Sequence, residues 1–264
     1  MPEIILMMAI ALLASEIYMS LTWLLSRKIK NAGIVDVAWA SGFTLLAFFY
    51  TFYSGHFSNA PFLTLAAMYI VWSLRLSWHL LTRFLRWYPN EDARYSELKE
   101  KLGNRAGWFM YIIFLWQGAI LFFLCTPLAV AASNPGNNFL LLQLLALFVW
   151  AVGLIGETIA DAQLVQFTKD TANKGKTCRV GLWSVSRHPN YFFEWLGSVS
   201  FSLYVLELPY GIWTLACPLV LMHLLFNVTG IRPAEEHSLK TRTDYAEYIQ
   251  STSAFFPWWR KTKS

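Results

Sequence analysis

The chain of 264 residues is 56% hydrophobic and 17% aromatic, with 14% charged residues and a mean hydropathy of +0.41. A soluble domain carries about a quarter charged residues, so an ordinary soluble protein is excluded. Low charge and three scattered cysteines, Cys125, Cys178 and Cys217, equally exclude a disordered chain and a disulfide scaffold. What is left is an all-α, polytopic membrane protein whose partner is the lipid bilayer. Its formal charge of +5 is read by where the charges fall and calls for no nucleic acid.

Apolar stretches of about 20 residues, the length that crosses the hydrocarbon core, recur along the sequence. We place seven, at roughly 4–26, 34–54, 60–82, 107–132, 138–165, 191–208 and 210–230, with a polar tail over 231–264, all in one domain. The first carries Glu16 and lacks a basic leader and a small-residue cleavage site, so it reads as a retained helix. Arg27, Lys28 and Lys30 follow the first span, and Arg83 to Arg105 follow the third. Lys169 to Arg187 follow the fifth, Arg232 to Lys263 follow the seventh, and Arg75 alone lies outside these segments. The alternate connections, around 55–59, 133–137 and 209, carry no Lys or Arg. The positive-inside rule then puts the N-terminus outside and the C-terminus in the cytoplasm. An odd number of spans agrees. The basic segments are also the long and aromatic ones, so function is expected on the cytoplasmic side.

Charged groups at membrane depth cost about 2.5–3.5 kcal/mol each on insertion and are functional candidates. Glu157 and Asp161, four residues apart, share one face of the fifth span. They form either an acceptor face for hydroxyls or an amide, or an ion pair with Arg179 or Arg187. Arg75 and His79 repeat the spacing on the third span, near Tyr69 and Trp72. Asp36 lies a few residues inside the second span, in GIVDVAW. In neutral form it would donate to a carbonyl; alternatively it pairs with Arg75 and holds the bundle.

The densest polar run is RVGLWSVSRHPNYFFEW, residues 179–195. Pro189 suits a helix start, and free amides there beside Arg187 and His188 suit a phosphate. Asn190 and Glu194 stack one turn apart, and Gly181 permits close approach just before them. In the tail, Arg232, Glu235, Glu236, His237, Tyr245 and Tyr248 alternate acid and base at helical spacing, which equally describes an amphipathic surface helix, and Pro257, Trp258 and Trp259 suit an interfacial anchor. The sequence has no G-x-G-x-x-G after a strand, no Walker A motif, no H-E-x-x-H and no metal-ligand spacing.

GIVDVAW, RLSWHLLTR, EDARY, ADAQL, GLWSVSRHPNYFFEW and RPAEEHSLKTRTDYAEYIQSTSAFFP together resemble the small seven-helix bacterial branch of the steroid 5α-reductase family. The match runs from about residue 31 to 257. The R-H-P-N-Y-x-x-E element is shared with sterol reductases and isoprenylcysteine carboxyl methyltransferases. The resemblance implies a bacterial inner-membrane enzyme with NADPH on its cytoplasmic side, reducing the C4–C5 double bond of a 3-oxo-4-ene steroid or similar lipophilic enone, with no obligate protein partner. It implies that Glu157, Asp161, Arg179, Arg187, His188, Asn190, Tyr191, Glu194, Arg232, Glu236, Tyr245 and Tyr248 hold the cofactor. His188, Asn190, Arg179 and Arg187 would meet phosphates and ribose; Tyr191 and Glu194 would adjoin the nicotinamide amide.

On the substrate side the resemblance implies catalytic roles for Asp36, Tyr69 and His79 in a pocket with Trp39, Trp72 and Arg75. Trp72 stands where the family carries a tyrosine, so Tyr69 or His79 takes its part as donor. An enone accepts hydride at its β-carbon as its oxygen gains negative charge, so donors at that oxygen lower the barrier. The competing reading is a membrane methyltransferase using S-adenosylmethionine, of the isoprenylcysteine carboxyl methyltransferase type.

Overall fold

The computed structural model describes residues 2–136 and 140–258, which puts Trp259 outside the described residues. Their regular structure is all helical, with no strand among the described residues, and the chain divides into two compact units, Met1–Leu140 with Val205–Ile212, and Leu141–Tyr204 with Trp213–Ser264.

The first unit contains α1 (Pro2–Ile29), α2 (Ile34–Ser54), α3 (Ala60–Trp87), α4 (Ala93–Leu102), α5 (Ala106–Leu124) and α6 (Thr126–Ser133). Local chemistry sets the ends. Gly55, at φ 67°, closes α2 in the left-handed conformation that only glycine adopts cheaply. The Asn59 side chain accepts from the Phe62 N–H at 2.8 Å and Pro61 sits in the first turn, which starts α3. Asp92 caps α4 by accepting from the Arg94 N–H at 3.0 Å. The predicted span 107–132 is broken into α5 and α6 at Cys125, because Pro127 supplies no N–H to continue the ladder. Helices α2 and α3 are joined by Ser73, which donates to the Ala40 carbonyl at 2.6 Å and accepts from the Thr44 N–H at 3.1 Å. Gly42 lets α5 approach α2 closely: a Cβ there would lie 2.3 Å from Leu121.

The second unit contains α7 (Leu141–Lys169), α8 (Pro189–Val205), α9 (Ala216–Asn227), α10 (Ile231–Thr241) and α11 (Tyr245–Ser251). Helices α7 and α8 meet at small residues. A Cβ on Gly153 would lie 3.1 Å from the Phe193 carbonyl oxygen and 3.2 Å from the Gly197 nitrogen, and one on Gly156 would lie 2.4 Å from the Phe193 ring. Such bare helix faces permit close packing where lipid leaves no hydrophobic drive between helices.

Among the described residues, six helical segments are long and apolar enough to cross a bilayer, the pattern of a multi-pass membrane protein. They are Glu3–Ile29, Ile34–Ser54, Ala60–Trp87, Ala93–Ser133, Leu141–Lys169 and Gly211–Thr241. The predicted span 191–208 corresponds to α8, which at 17 residues is shorter than these.

Candidate functional site

In the first unit the residues expected on the substrate side lie along α2 and α3. The Phe43 ring touches Trp39 at 4.9 Å, Trp72 at 5.0 Å and Tyr69 at 6.3 Å between centroids, so one aromatic residue gathers all three. The buried Trp39 Nε1 has no hydrogen-bond partner. Tyr69 is fully buried and donates its hydroxyl to the Leu124 carbonyl at 2.8 Å. Arg75 and His79 follow Trp72 on α3 at helical spacing.

Asp36 is surrounded by donors. Tyr95 gives its hydroxyl to Oδ1 at 2.8 Å, while Arg94 and Arg83 reach Oδ2 at 2.8 and 3.2 Å. The expected pairing with Arg75 is therefore replaced by pairing with Arg83, one turn beyond His79, and with the start of α4. With both oxygens engaged by donors, Asp36 is an acceptor here rather than the donor that its place in GIVDVAW suggested. The surrounding loop is tied as firmly. Glu91 accepts from the Ala32 N–H at 2.6 Å and from Lys99 at 2.5 Å, and Asn31 donates to the Asn90 carbonyl at 3.1 Å. Burial raises the Asp92 carboxyl, but the hydrogen bonds and charge of Arg94 outweigh it and hold the group below its ordinary value.

In the second unit, helix register brings together four of the residues expected to hold a cofactor. At about 100° per residue, Glu157 and Asp161 lie about 40° and about 80° round α7 from Gly153. Asn190 and Glu194 lie about 60° and about 100° round α8 from Phe193, in the matching sense for an antiparallel pair. Since Gly153 and Gly156 face Phe193 and Gly197, both polar pairs occupy the same flank of the α7–α8 contact. Glu157 and Asp161 are buried, at 2% and 5% exposure. The buried Oδ1 of Asn190 has no hydrogen-bond partner.

The loop before α8 is clamped between α7 and the tail. Gly181, at φ 55°, brings its backbone against Gln163, whose Oε1 accepts from the Leu182 N–H at 2.9 Å. A Cβ at Gly181 would meet that side chain at 2.1 Å, so the close approach expected at Gly181 is real and its partner is α7. Trp183 donates from Nε1 to the Ala160 carbonyl at 2.9 Å, and the Tyr248 hydroxyl is shared between the carbonyls of Trp183 and Ser186. The tail then returns over the loop. Arg187 N–H donates to the Ser253 carbonyl at 2.8 Å, Ser186 Oγ to that of Phe255 at 2.8 Å, and Trp258 N–H to that of Val185 at 3.0 Å.

Three side chains anchor this arrangement. Arg187 donates from Nε to Glu235 at 2.7 Å and from Nη1 to the carbonyls of Thr252 and Ile249 at 2.5 and 3.1 Å. His188 Nε2 lies 3.2 Å from the same Glu235 oxygen, and its ring stacks on Tyr191 at 5.5 Å. Burial pulls the His188 imidazole below its ordinary value, against the opposing pull of Glu235, so the ring is neutral at pH 7. Arg179 donates to the Asp244 carbonyl at 2.7 Å, pairs with Asp244 and Glu247 at 3.6 Å, and lies over the Tyr248 ring, with its buried Nε left without a partner. The expected ion pairs from Arg179 or Arg187 to Glu157 and Asp161 are thus corrected: both guanidiniums are held by the tail and α10. Burial pushes the Tyr245 phenol up to about 12 and the Tyr248 phenol higher still, so both remain donors.

Of the neighbours Glu235 and Glu236, the family resemblance implies a cofactor role for Glu236. Glu236 is an exposed partner of the equally exposed Arg232 at 3.2 Å, and Glu235 turns inward. The signal was present, since Arg232 and Glu236 have the four-residue spacing of a surface ion pair.

Residues 22–252 match the model of a family described as "Protein of unknown function (DUF1295)", and the chain belongs to that family. It is also similar to the "Probable O-methyltransferase ustE" of Ustilaginoidea virens, 40% identical over 73 residues, which are 27% of this chain and 26% of that protein. The chain therefore matches about a quarter of the length of that curated relative. No solved structure matches.

Proposed function

We propose that the protein is an NADPH-dependent reductase of a lipophilic enone, such as a 3-oxo-4-ene steroid. It works in a bacterial inner membrane with seven spans, its N-terminus outside and its cofactor on the cytoplasmic side. The observation that carries this reading is the Asn190 amide oxygen, buried and unpartnered on the flank that also holds Glu157, Asp161 and Glu194. Leaving such an acceptor unpaired costs about 1–3 kcal/mol. A carboxamide N–H or a ribose hydroxyl relieves that cost, and a nicotinamide riboside carries both. Arg179, with a buried Nε unengaged, fits a phosphate oxygen in the same unit. When bound, the reduced nicotinamide supplies the hydride.

In the first unit, the residues proposed to meet the ketone lie on α2 and α3. Phe43 fixes Trp39, Tyr69 and Trp72 as an apolar wall, and Trp39 Nε1 has an uncommitted N–H. Asp36 anchors the end of α2 to α4 through Arg94 and Tyr95. The Tyr69 hydroxyl, expected as a donor, is given to the Leu124 carbonyl instead, which leaves His79 as the proposed proton donor.

The similarity to a probable O-methyltransferase favours a second reading, methyl transfer from S-adenosylmethionine. Thermal shift separates the two, since a ligand at a hundred times its Kd stabilises by about 2.7 kcal/mol. NADPH is expected to raise the Tm of the detergent-solubilised protein, with S-adenosylmethionine inert, and NADPH oxidation should follow with a panel of enones. The reverse pattern of stabilisation would sink the reductase reading.

A further inference from the structure

At the entrance to α8, one carboxylate oxygen receives two donors. Glu235 Oε1 takes the Arg187 Nε–H at 2.7 Å and faces His188 Nε2 at 3.2 Å, and the three side chains are 17%, 10% and 8% exposed. A carboxylate paired with a guanidinium has no proton to give. The hydrogen between Glu235 and His188 therefore sits on Nε2. A neutral imidazole carries one N–H, so Nδ1 keeps its lone pair. Nδ1 makes no hydrogen bond to any described residue, the ring lies parallel to that of Tyr191 with centroids 5.5 Å apart, and the backbone behind it is fixed by the His188 N–H to Ser186 Oγ at 3.2 Å.

We infer that Glu235 is a positioning residue which locks His188 in its Nε2–H form, so that Nδ1 accepts a hydrogen bond from a sugar hydroxyl of the bound nucleotide rather than meeting its phosphates. This rests on the proposed nucleotide site and assigns one contact within it. A phosphate near neutral pH offers acceptors only, and two acceptors facing each other repel; a ribose hydroxyl donates. The charged and titratable groups facing the ring are Glu235 and Arg187 from α10 and the loop and Tyr191 on α8; Tyr245 stands behind them, within reach of the charges of both Glu235 and Arg187.

The test is calorimetric binding of NADP+ to the full chain in detergent, from pH 5.5 to 8.5, for the wild type and His188→Asn, His188→Leu and Glu235→Gln. Asparagine presents an amide at the Nδ1 position and is expected to bind within about threefold of the wild type. Leucine removes the acceptor and should weaken binding about tenfold, the worth of one such hydrogen bond. As pH falls and Nδ1 takes up a proton, wild-type affinity measured against His188→Asn should fall, because the variant carries the same titration of the nucleotide's own phosphate. Glu235→Gln frees the tautomer, so the nitrogen-15 spectrum of labelled His188 should change from one Nε2–H form to a mixture, a readout that a merely structural glutamate would not move.

Relative tightening on acidification would assign the contact to a phosphate and overturn the inference. So would a Glu235→Gln spectrum unchanged from wild type, or equal binding by wild type and His188→Leu. Absence of NADP+ binding to a folded wild type would overturn the nucleotide reading itself, and the inference with it.

Discussion

Arg187→Met is the most demanding test of how the second unit is built. The substitution keeps an unbranched apolar stem and deletes the guanidinium that joins the start of α8 to Glu235 and to the tail carbonyls of Thr252 and Ile249. Glu235 is then left largely buried with only a neutral histidine beside it, and two carbonyls lose a charged donor. Removing one partner of a buried ion pair costs about 3–5 kcal/mol. At 10% and 17% exposure, Arg187 and Glu235 are too shielded for water to repay much of that. With about 2–4 °C per kcal/mol for a chain of this size, the Tm in detergent should fall by about 6–20 °C. A double-mutant cycle with Glu235→Gln should show a coupling of at least about 1 kcal/mol, because the double variant leaves no unpaired charge. Trypsin should reach the segment after α10 first. A Tm loss under about 2 °C, with additive single variants, would refute the clamp.

Gly156→Leu should cost about 1–3 kcal/mol or more and shift the Tm accordingly, since even a Cβ lies 2.4 Å from the Phe193 ring; a tolerated leucine would show that α7 and α8 do not meet there. Asp36→Asn separates donor from acceptor: the amide can still donate, but loses the charge that Arg83 and Arg94 address. With both arginines more than a third exposed, the stability loss should stay near 1 kcal/mol, enone turnover should fall at least tenfold, and NADP+ binding should persist. Asn190→Ala should raise the Kd for NADP+ about tenfold without lowering the Tm of the ligand-free protein, because it removes a buried oxygen that has no partner there. Slight burial raises the Asp244 carboxyl, but hydrogen bonds from Thr177 and the nearby Arg179 hold it below the ordinary aspartate value. A depressed carboxyl stabilises the fold above its unfolded value and loses that contribution as pH falls through the folded one. Acid titration of the Tm below about pH 4 should therefore be shallower in Thr177→Val than in wild type.

Six of the seven expected spans were legible because their signal is apolar length, and length needs no tertiary partner to be read. The sequence foretold less where a local rule competes with hydropathy. Pro127 divides α5 from α6 inside a run that is apolar throughout, and α4 forms from a polar segment that Asp92 caps and Glu91 braces. The polar flank of α7 and α8 was visible as two four-residue repeats, Glu157–Asp161 and Asn190–Glu194. What the repeats could not show is that both fall on one side of the α7–α8 contact, because that depends on Gly153, Gly156 and Gly197 choosing the contact face. Likewise the basic residues before α8 looked interchangeable, as a positive-inside cluster makes them. The tail, far along the chain, decides that Arg187 is a strut while Arg179 keeps a nitrogen unspent. Long-range partners of that kind leave no periodicity to read.

The same distinction bears on which cofactor would fit the site proposed in the second unit. S-adenosylmethionine brings a sulfonium and an ammonium, which suit Glu157, Asp161 and Glu194 as counter-charges. A nicotinamide dinucleotide phosphate brings several negative charges, which those acids oppose unless they address its hydroxyls and carboxamide. The two demands differ most at the bases. If Arg179 serves only to hold Asp244 and Glu247, a methionine there weakens the tail and leaves the preference among ligands unchanged. If its buried Nε meets a phosphate, Arg179→Met penalises NADP+ by more than nicotinamide mononucleotide, because the smaller ligand keeps the carboxamide and loses most of the charge. The acids alone are compatible with either cofactor, so Arg179, with its unpaired Nε, is the residue that separates the proposed reductase from the methyltransferase reading.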